Sequence, residues 1–210
     1  MSGIFDLTGK SAFVTGAASG LGFAMAEGYC EAGAHVTLAD IDADNLERAV
    51  GRLTQAGFSA EGVTLDVRDP QAIRARVEAA AKRTGKLDIV CANAGVSGGP
   101  PFSEPAGQIE NIDLATWENV VKINQTGVFA TMQAAARVMK PQRSGRIIVT
   151  CSISGLRTGV ISGYTYAATK AAVVHLVHLA AVELAPYDID RKSTRLNSSH
   201  IPLSRMPSSA

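Results

Sequence analysis

Short apolar runs rich in β-forming residues alternate with longer segments of helical period along most of this chain. Such alternation is typical of βα units, in which each helix carries the chain back across one face of a parallel sheet. The predicted strands are residues 11–15, 35–39, 62–65, 87–92 and 146–150. The predicted helices are residues 21–32, 43–55, 70–84, 114–139 and 162–184. The pattern therefore predicts the α/β class, with a doubly wound parallel sheet and helices on both faces.

Residues at the predicted helix boundaries support this division. Asp69 followed by Pro70 is a typical N-cap and first-turn proline, and Gly33, Gly57 and Gly85 each follow a predicted helix. In a doubly wound sheet, ligands bind in a crevice at the carboxyl ends of the strands. Motifs that directly follow a predicted strand are therefore the candidates for a functional site.

The segment 96–113 after the fourth predicted strand is irregular and contains Gly98, Gly99, Pro100 and Pro101. We expect a long loop that borders the crevice and contributes to the shape of a substrate site. The alternative is a surface insertion without a functional role.

Length, charge and cysteine usage exclude several classes of protein. A chain of 210 residues fits one domain, and its net charge of +1 gives no reason to expect nucleic acid or an anionic membrane as partner. We expect no secretory signal and no stretch apolar and long enough to span a bilayer. Cys30, Cys91 and Cys151 are far apart, which predicts reduced thiols in a cytoplasmic protein. His175 and His178 lack a third ligand, so we predict no metal site.

The segment 190–210 differs in kind from the rest of the chain. It is rich in serine, carries four basic residues and one acidic residue, and shows neither strand alternation nor an apolar helical face. Such a composition does not bury enough apolar surface to offset its ordering entropy. We therefore predict one domain over residues 1–189 and a disordered tail over 190–210, and we hypothesise that the tail is foreign sequence.

A glycine-rich segment, residues 15–22, follows the first predicted strand and opens the first predicted helix. Glycines let the backbone approach a pyrophosphate, whose charge is met by free amides and the positive end of the helix. The spacing is Gly-x-x-x-Gly-x-Gly rather than the generic Gly-x-Gly-x-x-Gly. A purely structural turn is the alternative, but the position at the first βα junction favours dinucleotide binding.

Asp40 stands at the end of the second predicted strand, where a carboxylate can accept hydrogen bonds from an adenosine ribose. The same carboxylate would repel a 2′-phosphate, and neither Ala17, Ala18 nor Ile41 supplies a compensating cation. These residues predict NAD rather than NADP as the cofactor. The alternative is that Asp40 caps the helix that begins near Ala43.

Tyr166 and Lys170 are four residues apart in a predicted helix and therefore neighbours on one helical face. An ammonium beside a phenol stabilises the phenolate, which suits the tyrosine for proton exchange near neutral pH. The alternative is a tyrosine packed beside a solvated lysine.

Taken together, these segments resemble the classical short-chain dehydrogenases/reductases over about residues 7–188. The motifs that carry the resemblance are residues 15–22, residues 93–95 after the fourth strand, Asn124 in the long helix, Ser152 after the fifth strand, and Tyr166 with Lys170. The resemblance implies a Rossmann-like fold and an oxidoreductase that moves a hydride between NAD(P) and a secondary alcohol or carbonyl compound. A weak likeness to polyol dehydrogenases favours a polyol or related hydroxy compound.

The family implies a role for each catalytic candidate. Tyr166 would exchange a proton with the substrate oxygen, and Lys170 would stabilise the phenolate and hold the nicotinamide ribose. Ser152, which fits the Ser-x-x-Gly pattern better than Ser154, would bond the substrate oxygen. Asn124 would anchor a water in a proton relay, with a polar break in a long helix as its alternative. The cofactor contacts implied are Gly16, Ser19, Gly20, Leu21, Gly22, Asp40, Asp66, Val67, Asn93, Ala94, Gly95, Tyr166 and Lys170.

The chain departs from the family after Tyr187, where a sixth strand and a substrate loop are expected and the sequence shows no signal for either. We therefore expect the last strand or strands of the sheet to be missing. In its full-length form the family implies a homodimer or homotetramer. The alternatives to an active enzyme are a non-catalytic dinucleotide-binding module and an inactive truncated fragment.

Overall fold

The computed structural model describes residues 5–157, 159 and 162–196. The strands are β1 (Ser11–Thr15), β2 (His35–Asp40), β3 (Ala60–Thr64), β4 (Ile89–Ala92), β5 (Gly145–Ser152) and β6 (Ile189–Leu196). The α-helices are α1 (Gly20–Glu31), α2 (Ala43–Gln55), α3 (Pro70–Thr84), α4 (Leu114–Val121), α5 (Val128–Gln142) and α6 (Tyr164–Leu184). Every neighbouring pair of strands is parallel, and the sheet has the order β3-β2-β1-β4-β5-β6. The predicted doubly wound α/β fold is confirmed.

Strand β1 shows how the sheet is covered on both faces. Phe13 packs into a core formed with residues of α3, α5 and α6, whereas Val14 packs into a second core formed with residues of α1 and α2. Both side chains are completely buried. Because successive strand residues point to opposite faces, a run of apolar residues in β1 serves both cores at once.

The predicted helix boundaries are also confirmed. The carboxylate of Asp69 accepts hydrogen bonds from the amides of Gln71 (2.9 Å) and Ala72 (3.0 Å), which caps α3 ahead of Pro70. Gly85 ends that helix in the left-handed conformation, with φ of 77°. Local capping chemistry thus fixes where the chain enters and leaves α3.

The predicted helix 114–139 corresponds to residues 114–142, so it ends later than predicted, and it is interrupted in its middle. Between α4 and α5 the backbone forms a π-helical segment, Lys122–Gly127, which contains Asn124. An extra residue in a helical turn shifts the register of the side chains and recurs at functional sites. The break anticipated at Asn124 is therefore real, and the asparagine lies at its centre.

The prediction that the sheet lacks a sixth strand is wrong for residues 189–196. Strand β6 pairs with β5 in parallel over eight residues, from Gly145 opposite Ile189 to Ser152 opposite Leu196. Strand pairing joins backbone groups, so an otherwise open edge of β5 can be paired by a segment without apolar alternation. Arg146 lies opposite Asp190 with 3.5 Å between Nε and a carboxylate oxygen, an oppositely charged cross-strand pair. The predicted boundary at residue 190 thus falls inside β6, and residues 197–210 lie outside the described part of the chain.

The expectation that no stretch is long and apolar enough to cross a bilayer is also wrong. Within the described residues one helical stretch, Tyr164–Tyr187, passes that test by length and composition. It packs on β5 and β6 and contributes Val173, Val177 and Leu184 to the core. A core helix of a soluble protein passes the same test, so this finding alone is weak evidence of a membrane span.

The three cysteines are buried thiols, as predicted. Burial raises the pKa of Cys30 to about 11 and that of Cys91 to about 12. At neutral pH both side chains are therefore protonated, and neither is activated as a nucleophile.

Candidate functional site

A cavity of about 800 Å³ opens at the carboxyl ends of the strands, where the fold predicts a ligand. Its wall is formed by the β1–α1 loop, the ends of β2 and β3, the segment after β4, and the start of α6. Every residue predicted to contact the cofactor lines this cavity. Ser152 and Asn124 do not line it themselves, but Ser152 lies two residues after Thr150 and Asn124 directly follows Ile123, both of which do.

The β1–α1 loop presents the open end of α1 to the cavity. The first helical amide bond runs from Phe23 to the carbonyl of Ser19, so the amides before Phe23 point out of the helix end. Ser19 occupies the N-cap position without a side-chain capping bond, which leaves its hydroxyl available for a ligand. This arrangement suits an anionic pyrophosphate.

Gly22 explains why the loop needs glycine at this point. A Cβ on Gly22 would overlap the carbonyl oxygen of Gly16 and lie 2.6 Å from Nδ2 of Asn93. Both neighbours are held in place, because Gly16 directly follows β1 and the side chain of Asn93 donates a hydrogen bond to its carbonyl. The close approach of α1 to the loop is therefore possible only without a side chain at residue 22.

Asp40, the last residue of β2, is tied to the same loop. Its carboxylate accepts hydrogen bonds from the amide of Ala18 (2.9 Å) and from the amide of Asp42 (3.1 Å). The N-cap of α2 is Asp42, which accepts a bond from the amide of Asn45 at 3.0 Å. The alternative that Asp40 caps this helix is thus wrong, and its carboxylate remains in the cavity wall.

Asp66 lines the cavity beside Arg68, a cation that was not predicted to belong to the site. Arg68 donates from its backbone amide (2.9 Å) and from Nε and Nη2 to the carboxylate of Asp66, and from Nη1 to the side chain of Asn119 at 3.2 Å. The hydrogen bonds from Arg68 hold the pKa of Asp66 below its usual range. Arg68 itself also lines the cavity.

Asn93 joins three strands behind the cavity. Its side-chain amide donates to the carbonyls of Thr15 (3.1 Å) and Gly16 (3.2 Å), and its side-chain oxygen accepts from the hydroxyl of Thr150 at 2.9 Å. The hydroxyl of Thr15 accepts from the amides of Asn93 and Ala94 at 3.0 and 3.1 Å. The predicted role of Asn93 in steadying the central sheet agrees with these contacts.

Tyr166 and Lys170 meet as the helical spacing predicts. Nζ of Lys170 lies 5.7 Å from the centroid of the Tyr166 ring and donates a 2.8 Å hydrogen bond to the carbonyl oxygen of Thr150. Lys170 is only 3% exposed, so it is not the solvated lysine of the alternative interpretation. Burial lowers the pKa of Lys170, and the neighbouring Cys151 opposes that shift.

Ser152 is the last residue of β5 and is buried. Its hydroxyl oxygen accepts a 3.2 Å hydrogen bond from the amide of Ser154, while the hydroxyl of Ser154 pairs with that of Ser162 at 2.6 Å. A Cβ on Gly155 would lie 2.6 Å from the carbonyl oxygen of Lys170. The Ser-x-x-Gly spacing therefore lets the turn after Ser152 pack directly on α6 beside Lys170.

Asn124 is completely buried, and both its side-chain oxygen and its side-chain nitrogen are hydrogen-bonded. Its oxygen accepts from the amide of Val96 and its nitrogen donates to the carbonyl of Val96, each at 2.8 Å. A Cβ on Gly95 would lie 3.2 Å from the Asn124 side-chain oxygen and 3.8 Å from Nζ of Lys170. The side chains of Asn124 and Lys170 thus both approach Gly95, and the segment after β4 holds Asn124 in place through Val96.

The segment 96–113 borders the cavity, as expected. Val96, Ser97 and Gly99 line it, and a Cβ on Gly98 would lie 3.4 Å from the amide of Tyr166. The first part of this loop therefore belongs to the cavity wall, and its contribution to the shape of a substrate site stays a prediction. The remainder forms two short 3-10 turns, Pro105–Gly107 and Ile109–Asn111.

Sequence reasoning missed several residues of the site. Thr15 and Thr150 are the last residues of predicted strands, and this position was a usable signal for both. Ser162 and Arg68 lie in irregular segments, and their contacts depend on tertiary packing that no local pattern encodes. The residues concerned are Thr15, Arg68, Asn119, Thr150 and Ser162.

Comparison with known proteins agrees with this geometry. The model of the family described as short chain dehydrogenase matches residues 10–194. The chain is 37% identical over 190 residues to 5-keto-D-gluconate 5-reductase of Escherichia coli strain K12, covering 90% of this chain and 71% of that protein. A crystal structure of a short-chain type dehydrogenase/reductase from Mycobacterium marinum superposes with a TM-score of 0.83 at 36% identity, covering 90% of this chain and 75% of that one. The structure of NAD⁺-bound xylitol dehydrogenase superposes with a TM-score of 0.82 at 30% identity, covering 90% and 71%.

Proposed function

The chain belongs to the short-chain dehydrogenase family of oxidoreductases, and on that premise we propose that it moves a hydride between NAD(H) and a secondary alcohol or its carbonyl counterpart. The observation that carries the proposal is the cavity wall itself. Tyr166 and Lys170 line the same cavity as the open end of α1 and the carboxylate of Asp40. A proton-transfer pair and a dinucleotide site therefore face one space.

Proton transfer is assigned to Tyr166. In the oxidation direction the substrate hydroxyl gives its proton to the Tyr166 phenolate oxygen, and in reduction the phenol returns it to the carbonyl oxygen. Bound NAD supplies the hydride acceptor, and NADH the donor. Lys170 stabilises the phenolate electrostatically, and its ammonium has two protons beyond the one bonded to Thr150 with which to hold the nicotinamide ribose.

Ser152 is proposed to bind the substrate oxygen. The amide of Ser154 already occupies one acceptor position of the Ser152 hydroxyl, so its O–H remains free to donate toward a developing oxyanion. Asn124 is proposed to support a proton relay that runs through Lys170 and the ribose. Its burial and its position across Gly95 from Lys170 support that role.

We propose NAD rather than NADP as the cofactor. The carboxylate of Asp40 lies in the cavity wall, where it can accept bonds from ribose hydroxyls and would repel a 2′-phosphate. Arg68 is a cation in the same wall, but its guanidinium is engaged by Asp66. A 2′-phosphate would therefore be repelled by the negative charge of the Asp40 carboxylate.

A polyol or a related hydroxy compound is the proposed substrate class. The similarity to a protein named 5-keto-D-gluconate 5-reductase and to xylitol dehydrogenase supports this choice. The proposed assembly is a homodimer or homotetramer of a cytoplasmic protein. Exposed apolar side chains on the two long helices support burial against another copy: Phe129, Leu179 and Val182.

A panel of secondary alcohols and polyols with NAD⁺ tests the proposal, with reduced nicotinamide absorbance as the readout. We expect turnover with at least one polyol and a lower Kd for NAD⁺ than for NADP⁺. Failure of the chain to bind either dinucleotide would contradict the proposed function. Binding without turnover of any substrate would support the alternative of a non-catalytic dinucleotide-binding module.

A further inference from the structure

Arg68 is a cation in the cavity wall to which the proposed chemistry gives no task. It follows β3 in the turn that leads to α3, and it lines the cavity with Asp66 and Val67. Asp40 and Asp66 lie at the ends of β2 and β3, on one side of β1, whereas Lys170 contacts β5 on the other side. Arg68 therefore belongs to the half of the cavity that would receive the adenosine.

The guanidinium of Arg68 joins two walls of that half. Nε and Nη2 donate to the Asp66 carboxylate, the latter at 2.6 Å, while Nη1 reaches the side-chain oxygen of Asn119 on α4 at 3.2 Å. A forked donor that contacts both carboxylate oxygens fixes the plane of the carboxylate as well as its position. The turn after β3 is thereby held to α4.

The same turn is also held from behind. A Cβ on Gly127 would lie 2.6 Å from the carbonyl oxygen of Val67, so the backbone of the turn rests directly on the start of α5. Arg68 closes the exposed side, where Asp66 keeps 36% of its side-chain area accessible. Without the guanidinium, the described contacts of the Asp66 side chain are reduced to one hydrogen bond, from the backbone amide of Arg68 at 2.9 Å.

Arg68 also sets the charge that a dinucleotide meets. Asp40 and Asp66 each contribute one negative charge to this half of the cavity, and the guanidinium offsets one of them. NAD carries an anionic pyrophosphate, so a second uncompensated carboxylate would weaken its binding. One carboxylate whose charge no cation among the described residues offsets, that of Asp40, then remains for the ribose.

We infer that Arg68 is a positioning residue for the adenosine half of the dinucleotide, because its guanidinium clamps Asp66 to α4 and neutralises it. The inference rests on the proposed function, in which this cavity holds NAD. The inference concerns cofactor binding and not the substrate. Arg68 therefore affects the Kd for NAD but not the rate of hydride and proton transfer.

Titration calorimetry of the full chain with NAD⁺, ADP-ribose and nicotinamide mononucleotide tests the inference. Arg68→Ala is expected to raise the Kd for NAD⁺ and for ADP-ribose about five- to tenfold, as for the loss of a charge-assisted contact, and to leave the Kd for nicotinamide mononucleotide within about twofold. At saturating NAD⁺ the kcat is expected to stay within about twofold of wild type. Arg68→Lys keeps the charge but lacks the forked donor, so its Kd for NAD⁺ is expected to lie between those of wild type and Arg68→Ala.

Arg74→Ala is the matched control, because Arg74 forms an exposed ion pair with Glu78 on α3 and lies away from the cavity. An NAD⁺ affinity of Arg68→Ala equal to that of Arg74→Ala would overturn the inference. Equal weakening of nicotinamide mononucleotide and ADP-ribose would overturn it too, because that result indicates general loss of structure. If Arg68→Ala does not fold, Arg68→Lys supplies the same comparison. Wild-type protein that binds no dinucleotide would contradict the proposed function itself, a result distinct from the first two.

Discussion

Nζ of Lys170 donates a 2.8 Å hydrogen bond to the carbonyl oxygen of Thr150, and this bond anchors the lysine of α6 to strand β5. Thr150 in turn donates from its hydroxyl to Asn93, which bonds the carbonyl of Gly16 in the β1–α1 loop. These hydrogen bonds therefore connect Lys170, the proposed partner of the proton-transfer residue Tyr166, to the proposed phosphate loop. The two halves of the site are built on one rigid support.

Lys170 gives the stability of the protein a pH dependence of known sign. Burial lowers its pKa in the folded state, so between that value and the ordinary value of 10.5 the unfolded chain binds more protons than the folded chain. The difference in free energy of unfolding between wild type and Lys170→Met (wild type minus variant) is therefore expected to rise with pH across this alkaline window. Urea unfolding of both proteins at a series of pH values measures the difference. A difference that falls with pH would show that Lys170 is not desolvated in the folded state.

Gly22→Ala is expected to destabilise the β1–α1 loop and to weaken NAD⁺ binding. The added methyl group would overlap the carbonyl of Gly16, and such overpacking costs about 1–3 kcal/mol. Gly28→Ala in the same helix is the control, because nothing lies within 4 Å of a Cβ there. That variant is expected to be more stable than wild type by about 0.5–1 kcal/mol. Thermal unfolding with and without NAD⁺ compares the two, and equal behaviour would contradict the close packing at Gly22.

Asp40→Asn is expected to reduce the preference for NAD over NADP. The variant keeps an acceptor for the amide of Ala18 but removes the charge that repels a 2′-phosphate. The ratio of the Kd for NADP⁺ to that for NAD⁺ should fall about tenfold, and calorimetry measures both constants. Asp44→Asn, in the first turn of α2, is the control and should leave the ratio unchanged. An unaltered ratio in Asp40→Asn would remove Asp40 as the discriminating residue.

Thiol reagents are expected to react slowly with the folded protein. Because the thiolate is the reactive form, the raised pKa values of Cys30 (about 11) and Cys91 (about 12) leave almost none of it at neutral pH. Colorimetric thiol titration should therefore show fast reaction only after denaturant is added. Rapid reaction of Cys91 in buffer would contradict its burial beneath Tyr29, whose hydroxyl lies 3.2 Å from the sulfur.

Local patterns were sufficient to predict most of the fold and of the cofactor cavity. Strand β1 and helices α2 and α3 have the predicted limits, because apolar runs, caps and terminal glycines act within a few residues. The strand ends then place Asp40 and Asn93 at one edge of the sheet by topology alone.

Features that depend on distant partners were not predictable in the same way. Strand β6 pairs through its backbone with β5, and its sequence shows no alternation to mark it. The clamp formed by Arg68 requires α4 to lie beside the turn after β3. Asn124 was identified as a site residue by resemblance, but its bidentate contact with Val96 follows only from the folded chain.

Turnover of Tyr166→Phe tests the central claim most directly, with Tyr164→Phe as the matched control. Tyr164 lies two residues earlier on α6, is 41% exposed, and its ring stands 6.2 Å from that of Phe102. With a substrate from the polyol panel, the kcat of Tyr166→Phe is expected to fall by about 10²- to 10⁴-fold while its Kd for NAD⁺ changes far less, and Tyr164→Phe should retain most of its kcat. An undiminished kcat in Tyr166→Phe would contradict the assignment of proton transfer to this residue.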